Sequence, residues 1–434
     1  MCLPLGAADL NWNNSDTNFN ADTSWTEGTV PGSSDRAIFG GTAANQPNLT
    51  ANTTIDRLLF SSGGYTLGST GGFSLNVTNT STGSRSNSGI HVTATSGVVM
   101  IDTLLDYNGG GARQIAVEGG ATLVLSGGVS HSGTLRMRNA AAGTIRFATP
   151  NTGLTGAVNL DGGIFQIGHD NAFGTASINT FVANNTIEAF GGSRTIANDF
   201  SIERFVTVIG SNNFGFSGDV TLRSSQTSGI DSNSTGVTSL SGNVFLNNTT
   251  AVNTANFGGS GQLSISGAIA DFDGTTTARN NINLNGTGGQ VITFSGNNVY
   301  TGNTTIGAGV NFTLADSGSL LFKLDDGVTN TVGGSGTASF NGALVFDIAG
   351  VTDFDQSWNL ISVGTLTESF DLADVRFKDG ASFVQDGQVW TSGFWSFDQT
   401  TGALTAIPEP SSWASLFGVI ALGLVILRRR PAHA

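Results

Sequence analysis

Cysteine, lysine and proline are scarce in this chain, and each scarcity closes off a class of protein. The single cysteine, Cys2, excludes an intramolecular disulfide framework, and it sits too near the start to be a lipidated residue behind a signal helix. With two lysines, Lys323 and Lys378, 11% charged residues and a formal charge of −14, the body of the chain has no run of clustered cations for nucleic acid. Seven prolines beside 62 glycines do not resemble the composition of a cytosolic enzyme. No stretch before residue 411 repeats its apolar residues with a 3.6-residue period, so almost no helix is expected there. The histidines, His91, His131, His169 and His433, are far apart and none has a partner at metal-ligand spacing; solvated strand or turn positions explain them most simply. No Gly-x-Ser-x-Gly occurs to place a serine nucleophile. The glycine runs at 109–111 and 333–336 precede strand patterns, so they are turns rather than phosphate loops.

What is present is short, alternating and apolar. Apolar residues make up 38% of the chain, with 28 phenylalanines spread along it, which excludes a disordered polymer. Val98-Val99-Met100-Ile101, Thr122-Leu123-Val124-Leu125, Thr144-Ile145-Arg146-Phe147 and Ile164-Phe165-Gln166-Ile167 each read as a strand between Gly, Asn or Ser turns. Repeats recur with a coil-like period: Phe216-Ser217-Gly218-Asp219-Val220 returns as Leu240-Ser241-Gly242-Asn243-Val244 and as Ile265-Ser266-Gly267-Ala268-Ile269, so the glycines are spaced by 24 and 25 residues. Thr301-Gly302-Asn303-Thr304-Thr305-Ile306 echoes Thr155-Gly156-Ala157-Val158-Asn159-Leu160. A period in the twenties predicts one turn of a solenoid, in which no coil buries enough apolar surface alone and each packs against its neighbours. The fold class expected is all-β: a right-handed parallel β-helix or solenoid over 10–340, a small β-rich C-terminal cap over 341–406, and one C-terminal transmembrane helix over 411–427. Trp12 and Trp25, in the Trp-rich opening segment 11–68, are suited to closing one end of the stack.

The transmembrane expectation rests on the tail. Residues 411–427 carry no charge and span about 26 Å as a helix, the lower limit for crossing a bilayer. Trp413 stands at one interface, Leu416, Phe417, Val419, Ile420, Leu422, Leu424, Val425, Ile426 and Leu427 supply the apolar surface, and Arg428, Arg429 and Arg430 form a cytoplasmic stop. Pro408 and Pro410 separate this run from the folded body. The triplet Pro408-Glu409-Pro410, the apolar run and the basic end resemble the PEP-CTERM sorting signal of Gram-negative bacteria. The resemblance implies that Pro408, Glu409 and Pro410 are read by an exosortase, a membrane cysteine transpeptidase, and that the segment 407–434 is removed or exchanged on sorting. The Trp-containing start, the turn Pro31-Gly32-Ser33-Ser34-Asp35 leading into Ile38-Phe39, and Phe294-Ser295-Gly296-Asn297-Asn298-Val299-Tyr300-Thr301-Gly302 are similar to proteins with autotransporter-associated β-strand repeats, a likeness covering about 10–340. At the other end, Gly6-Ala7-Ala8 before Asp9 resembles a cleavage site, so residues 1–9 are read as a remnant of a signal peptide whose leader lies upstream.

Acidic side chains are the remaining chemical resource. Asp271 with Asp273, Asp325 with Asp326, and Asp353 with Asp355 could offer oxygen ligands to calcium, but none matches an EF-hand or a nonapeptide calcium repeat, and no other metal or cofactor is implied. The function expected is a structural or adhesive protein, exported, held at the membrane before sorting and then displayed at the cell surface or in extracellular matrix. Its partners would be the exosortase, the export machinery, the membrane and extracellular polysaccharide. A polysaccharide-acting β-helix enzyme, a lyase or glycoside hydrolase, is the alternative, and an autotransporter passenger the third reading; no catalytic residue is identified.

Overall fold

The computed structural model describes residues 7–107, 109–182, 185–223, 228–247, 251–272, 279–368 and 374–406. Alternation builds its strands. In Ala157–Leu160 the side chains of Val158 and Leu160 are buried while Asn159 faces outward, and the same in-out reading runs through Arg57–Phe60, Thr134–Met137 and Ser177–Thr180. Since such a strand hides one face only, the chain turns and lays the next strand parallel on the last.

Three faces result. The first is a 12-stranded sheet from Asp9–Asn11 to Ile269–Ala270, taken up again by the parallel strands Asn297–Asn298, Ser319–Asp325, Ala343–Gly350 and Val375–Phe377. Between the two parts the Asn298 carboxamide substitutes for ladder bonds: its Oδ1 accepts from the Ile269 N–H at 3.2 Å and its Nδ2 donates to the carbonyls of Gly296 and Ser319, both at 3.0 Å. The second face is a 14-stranded sheet from Asn48–Leu49 to Ile361–Ser362. The third begins as four strands, Thr53–Ile55 to Val129–Ser130, passes through turns in two coils and resumes as eight strands, Arg194–Ile196 to Thr365–Glu368. In those two coils Asn151 holds the stack together, its side chain accepting from Val129 N–H at 2.7 Å and donating to Ala172 O at 2.6 Å.

Register shows how elastic the coil is. Ile145 stands on Phe165, an offset of 20 residues, and Val332 on Ile361, an offset of 29. The surplus goes into corners, while inward residues stay in column: Ile145, Phe165 and Ile187 are consecutive partners and all fully buried. Strand spacing of about 4.8 Å leaves no room for a side chain at some corners. A Cβ on Gly242 would lie 2.1 Å from the carbonyl oxygen of Gly218, one on Gly267 would lie 1.7 Å from that of Gly242, and one on Gly296 would lie 2.2 Å from that of Gly267.

Both ends of the stack are covered. At the first, Trp12, Phe19 and Trp25 pack over Phe39, Trp25 edge-on to it and to both neighbours, with Trp12 and Trp25 centroids 5.3 Å apart and Phe19 and Trp25 5.0 Å apart. Residues 341–406 contain the last parallel coils and a five-stranded antiparallel sheet of Ser357–Asn359, Ala403–Ala406, Trp395–Asp398, Val389–Ser392 and Val384–Asp386. Phe346 of the last coils meets Phe383 and Phe397 at 5.6 and 5.5 Å, fixing that sheet to the stack. Such covers withhold unpaired strand edges from other chains.

One part of the expected fold class is corrected. Helix among the described residues is limited to two single 3-10 turns, Asp22–Ser24 and Arg85–Asn87, and none is long and apolar enough to cross a membrane. The parallel solenoid stands; among the described residues there is no transmembrane helix. Through the described body the apolar residues alternate with a two-residue period, which specifies strands and gives no continuous apolar cylinder. Residues 411–427, where that helix was placed, lie outside the described residues, as do Cys2 and the whole segment 407–434.

Candidate functional site

The sequence has few cations, and the fold brings three of them to one corner. On the strand Thr134–Met137, Leu135 and Met137 are buried, so Arg136 and, beyond the strand end, Arg138 point outward. The third comes from an enlarged coil: Leu58 pairs with Ile90, an offset of 32 residues, whereas Ile115 pairs with Met137, an offset of 22. Much of the extra length lies in the excursion 78–89, which folds back across the first face. Gln114 Nε2 pins it by donating to Ser84 O at 2.9 Å and Ser88 Oγ at 2.7 Å. Arg85 Nη2 donates to Asn139 O at 3.0 Å, Arg136 Nη1 to Thr82 O at 3.3 Å, and Arg138 Nη1 to Gly83 O.

A cleft of about 250 Å³ opens where these groups meet, bounded by Arg85, Arg136, Arg138, Asn139, Asp161 and Val182. Asp161, whose side chain is 2% exposed, forms an ion pair with Arg136 through Oδ2. The cleft therefore holds three guanidiniums against one carboxylate in a chain whose formal charge is −14. Its floor depends on Gly162 and Gly163, both at positive φ (81° and 77°); a Cβ on Gly163 would strike Asn139 Cβ at 2.4 Å.

Several polar atoms at this corner lack a partner. Both Oδ1 and Nδ2 of Asn139, a residue 1% exposed, make no hydrogen bond, and neither do Asp161 Oδ1 and Arg85 Nε. Each such group costs about 1–3 kcal/mol when buried unpaired. These four atoms are concentrated beside the cleft and have no partner within the protein.

The residues singled out from sequence fall elsewhere. His91 and His131 are buried, 8% and 2% exposed, not solvated as expected: His131 Nδ1 lies 3.2 Å from Tyr107 O with the rings edge to face, and His91 Nε2 is 3.2 Å from Glu118 Oε1 without hydrogen-bond alignment. Exposed His169 accepts from the Asn171 N–H, and His433 lies outside the described residues. The candidate calcium carboxylates are occupied by loop bonds. Asp271 accepts from Asn280 N–H, Thr301 N–H and Thr301 Oγ1; Asp325 pairs with Arg279; Asp326 accepts from Thr352 and Asp353, and the Thr352 hydroxyl bond holds its carboxyl below the usual range. Asp353 accepts from the Asp355 N–H, and Asp273 is outside the described residues. Among the described residues no three His, Cys, Asp or Glu side chains gather at metal-binding distance. Pro408, Glu409, Pro410, the apolar anchor residues and Arg428, Arg429 and Arg430 also lie outside them.

Sequence reasoning missed the arginine cleft because its members are 51 residues apart, from Arg85 to Arg136, and only the coil stacking joins them. The available signal was Arg136-Met137-Arg138, an alternation that puts two cations on one outward face in a chain with 17 Lys and Arg. Fold and site together define a capped parallel β-solenoid with a cationic corner cleft. Comparison with family models, with curated proteins and with solved structures yields no match.

Proposed function

We propose that the protein is an exported structural or adhesive solenoid of a Gram-negative cell surface or extracellular matrix, delivered by an exosortase that reads Pro408-Glu409-Pro410. The observation carrying this reading is the stack itself, long, parallel and closed at both ends, which is a shape for presenting surface rather than for enclosing a substrate. Its outward rows are polar side-chain ladders. Arg146 Nε donates to Gln166 Oε1 and Gln166 Nε2 to Glu188 Oε2, both at 2.8 Å, and Asn179 Nδ2 donates to Asn159 Oδ1 at 3.2 Å. With a single cysteine the chain forms no intramolecular disulfide, so the stability of the rod comes from coil-on-coil burial.

Peptide mapping and intact mass of protein taken from the native cell surface test the reading. A mature terminus between residues 408 and 412 supports sorting at the triplet. A terminus intact through Ala434 removes exosortase processing from the proposal.

A further inference from the structure

We propose that the cleft between Arg85, Arg138, Asn139 and Asp161 binds a carboxylate-bearing sugar unit of an acidic polysaccharide. The inference rests on the adhesive reading for its biological setting and on the cleft alone for its chemistry. Three guanidiniums face one carboxylate there, and Asp161 already neutralises Arg136, so Arg85 and Arg138 present uncompensated charge. A guanidinium fork matches a carboxylate in the two-point fashion that an ammonium cannot. Charge alone would suit any small anion, but the remaining groups narrow the choice. Asn139 holds out one donor and one acceptor, and Asp161 Oδ1 one acceptor, all buried and unpaired. Hydroxyl groups, which donate and accept at once, satisfy that set, whereas a bare oxyanion would leave Asp161 Oδ1 unpaired and be repelled by it. Val182, 37% exposed, provides apolar surface lining the cleft for the C–H face of a ring. The volume of about 250 Å³ is near the lower bound for ligand sites and fits one sugar unit with its neighbours trailing along the rod. Asp161, engaged with Arg136, is the carboxylate lining the cleft; glycoside hydrolysis uses a pair, so the geometry points to binding without cleavage.

Titration calorimetry on the full chain decides the matter, with trigalacturonate and trimannuronate as acidic probes, maltotriose as the neutral one and sodium sulfate as the bare oxyanion. At least one acidic trisaccharide should bind about tenfold or more tighter than maltotriose and sulfate. Arg138→Gln should weaken that binding about tenfold or more. Asn139→Leu should weaken it as much while leaving the melting temperature unchanged or raised, because the wild-type amide makes no bond that folding uses. Sulfate binding as tightly as the trisaccharides would show a plain anion site and overturn the sugar assignment. So would equal affinity for maltotriose, no binding of either acidic probe, or a melting temperature lowered by Asn139→Leu, which would make that amide structural. None of these results bears on the maturation of the C-terminal segment, so failure of the cleft and failure of the sorting reading are distinguishable.

Discussion

Asp231 shows what solvation does to a single residue on this surface. It is half-buried on the strand Ser228–Ser232, paired in register with Gly258, and burial raises its carboxyl above the usual range. A raised carboxylic acid disfavours the charged folded state, so its contribution is a cost. That cost is present above the raised folded value, fades as pH falls through it, and is gone below the unfolded value of about 3.9. Asp231→Asn should therefore raise thermal stability at pH 7 by less than about 1 kcal/mol after solvent screening, with the gain closing by about pH 3. Paired melts of the two proteins across that range check it; a gain that persists at low pH would mean that packing rather than ionisation is responsible. Asp326 has the opposite sign: its bonds to Thr352 and Asp353 favour the carboxylate, so what they add is lost in acid.

At the scale of the element, a strand here is defined by its corner as much as by its apolar residues. The glycines at 218, 242, 267 and 296 precede successive first-face strands, and each occupies space that the carbonyl of the coil below denies to a Cβ. Gly242→Ala should cost about 1–3 kcal/mol of stability, read as a lowered denaturation midpoint, because the obstructing atoms are backbone and cannot swing away. Gly83→Ala is the control: a Cβ there meets nothing within 4 Å, so stability should hold or rise by about 0.4–1 kcal/mol as the unfolded chain loses entropy, and equal losses at both positions would mean that the obstructed column is not the cause. The 24- and 25-residue spacing made this column visible in sequence. The other echo was of a different kind. Ala157–Leu160 lies on the first face and Thr304–Ile306 on the second, so the two segments share a turn-and-strand unit but not a place in the coil.

For the whole molecule, a stack in which coils touch only neighbours should lose stability locally. Phe165 is fully buried between Ile145 and Ile187. Phe165→Ala should cost about 3–5 kcal/mol. Hydrogen exchange should show the loss of protection concentrated in Thr144–Phe147, Gly163–Ile167 and Asn185–Ala189, with Val310–Leu314 and Thr337–Phe340 unaffected. A uniform loss along the rod would mean that it unfolds as a single cooperative unit instead. The covers matter at this scale too, since the Trp12–Phe19–Trp25 cluster and the antiparallel sheet are what stop the stack from adding further chains at its ends.

The local pattern determined the strands, the coil period and the closed ends. Strands at 98–101, 122–125, 144–147 and 164–167 were legible because alternation is a property of neighbours along the chain, and all four stack on the second face. Tertiary structure alone decided which strands share a face, that His91 and His131 are buried, and that Arg85 meets Arg138, Asn139 and Asp161. Those facts depend on how many residues each corner absorbs, and with coil offsets running from 20 to 34 residues, register is set by what stacks inside, which no local window contains.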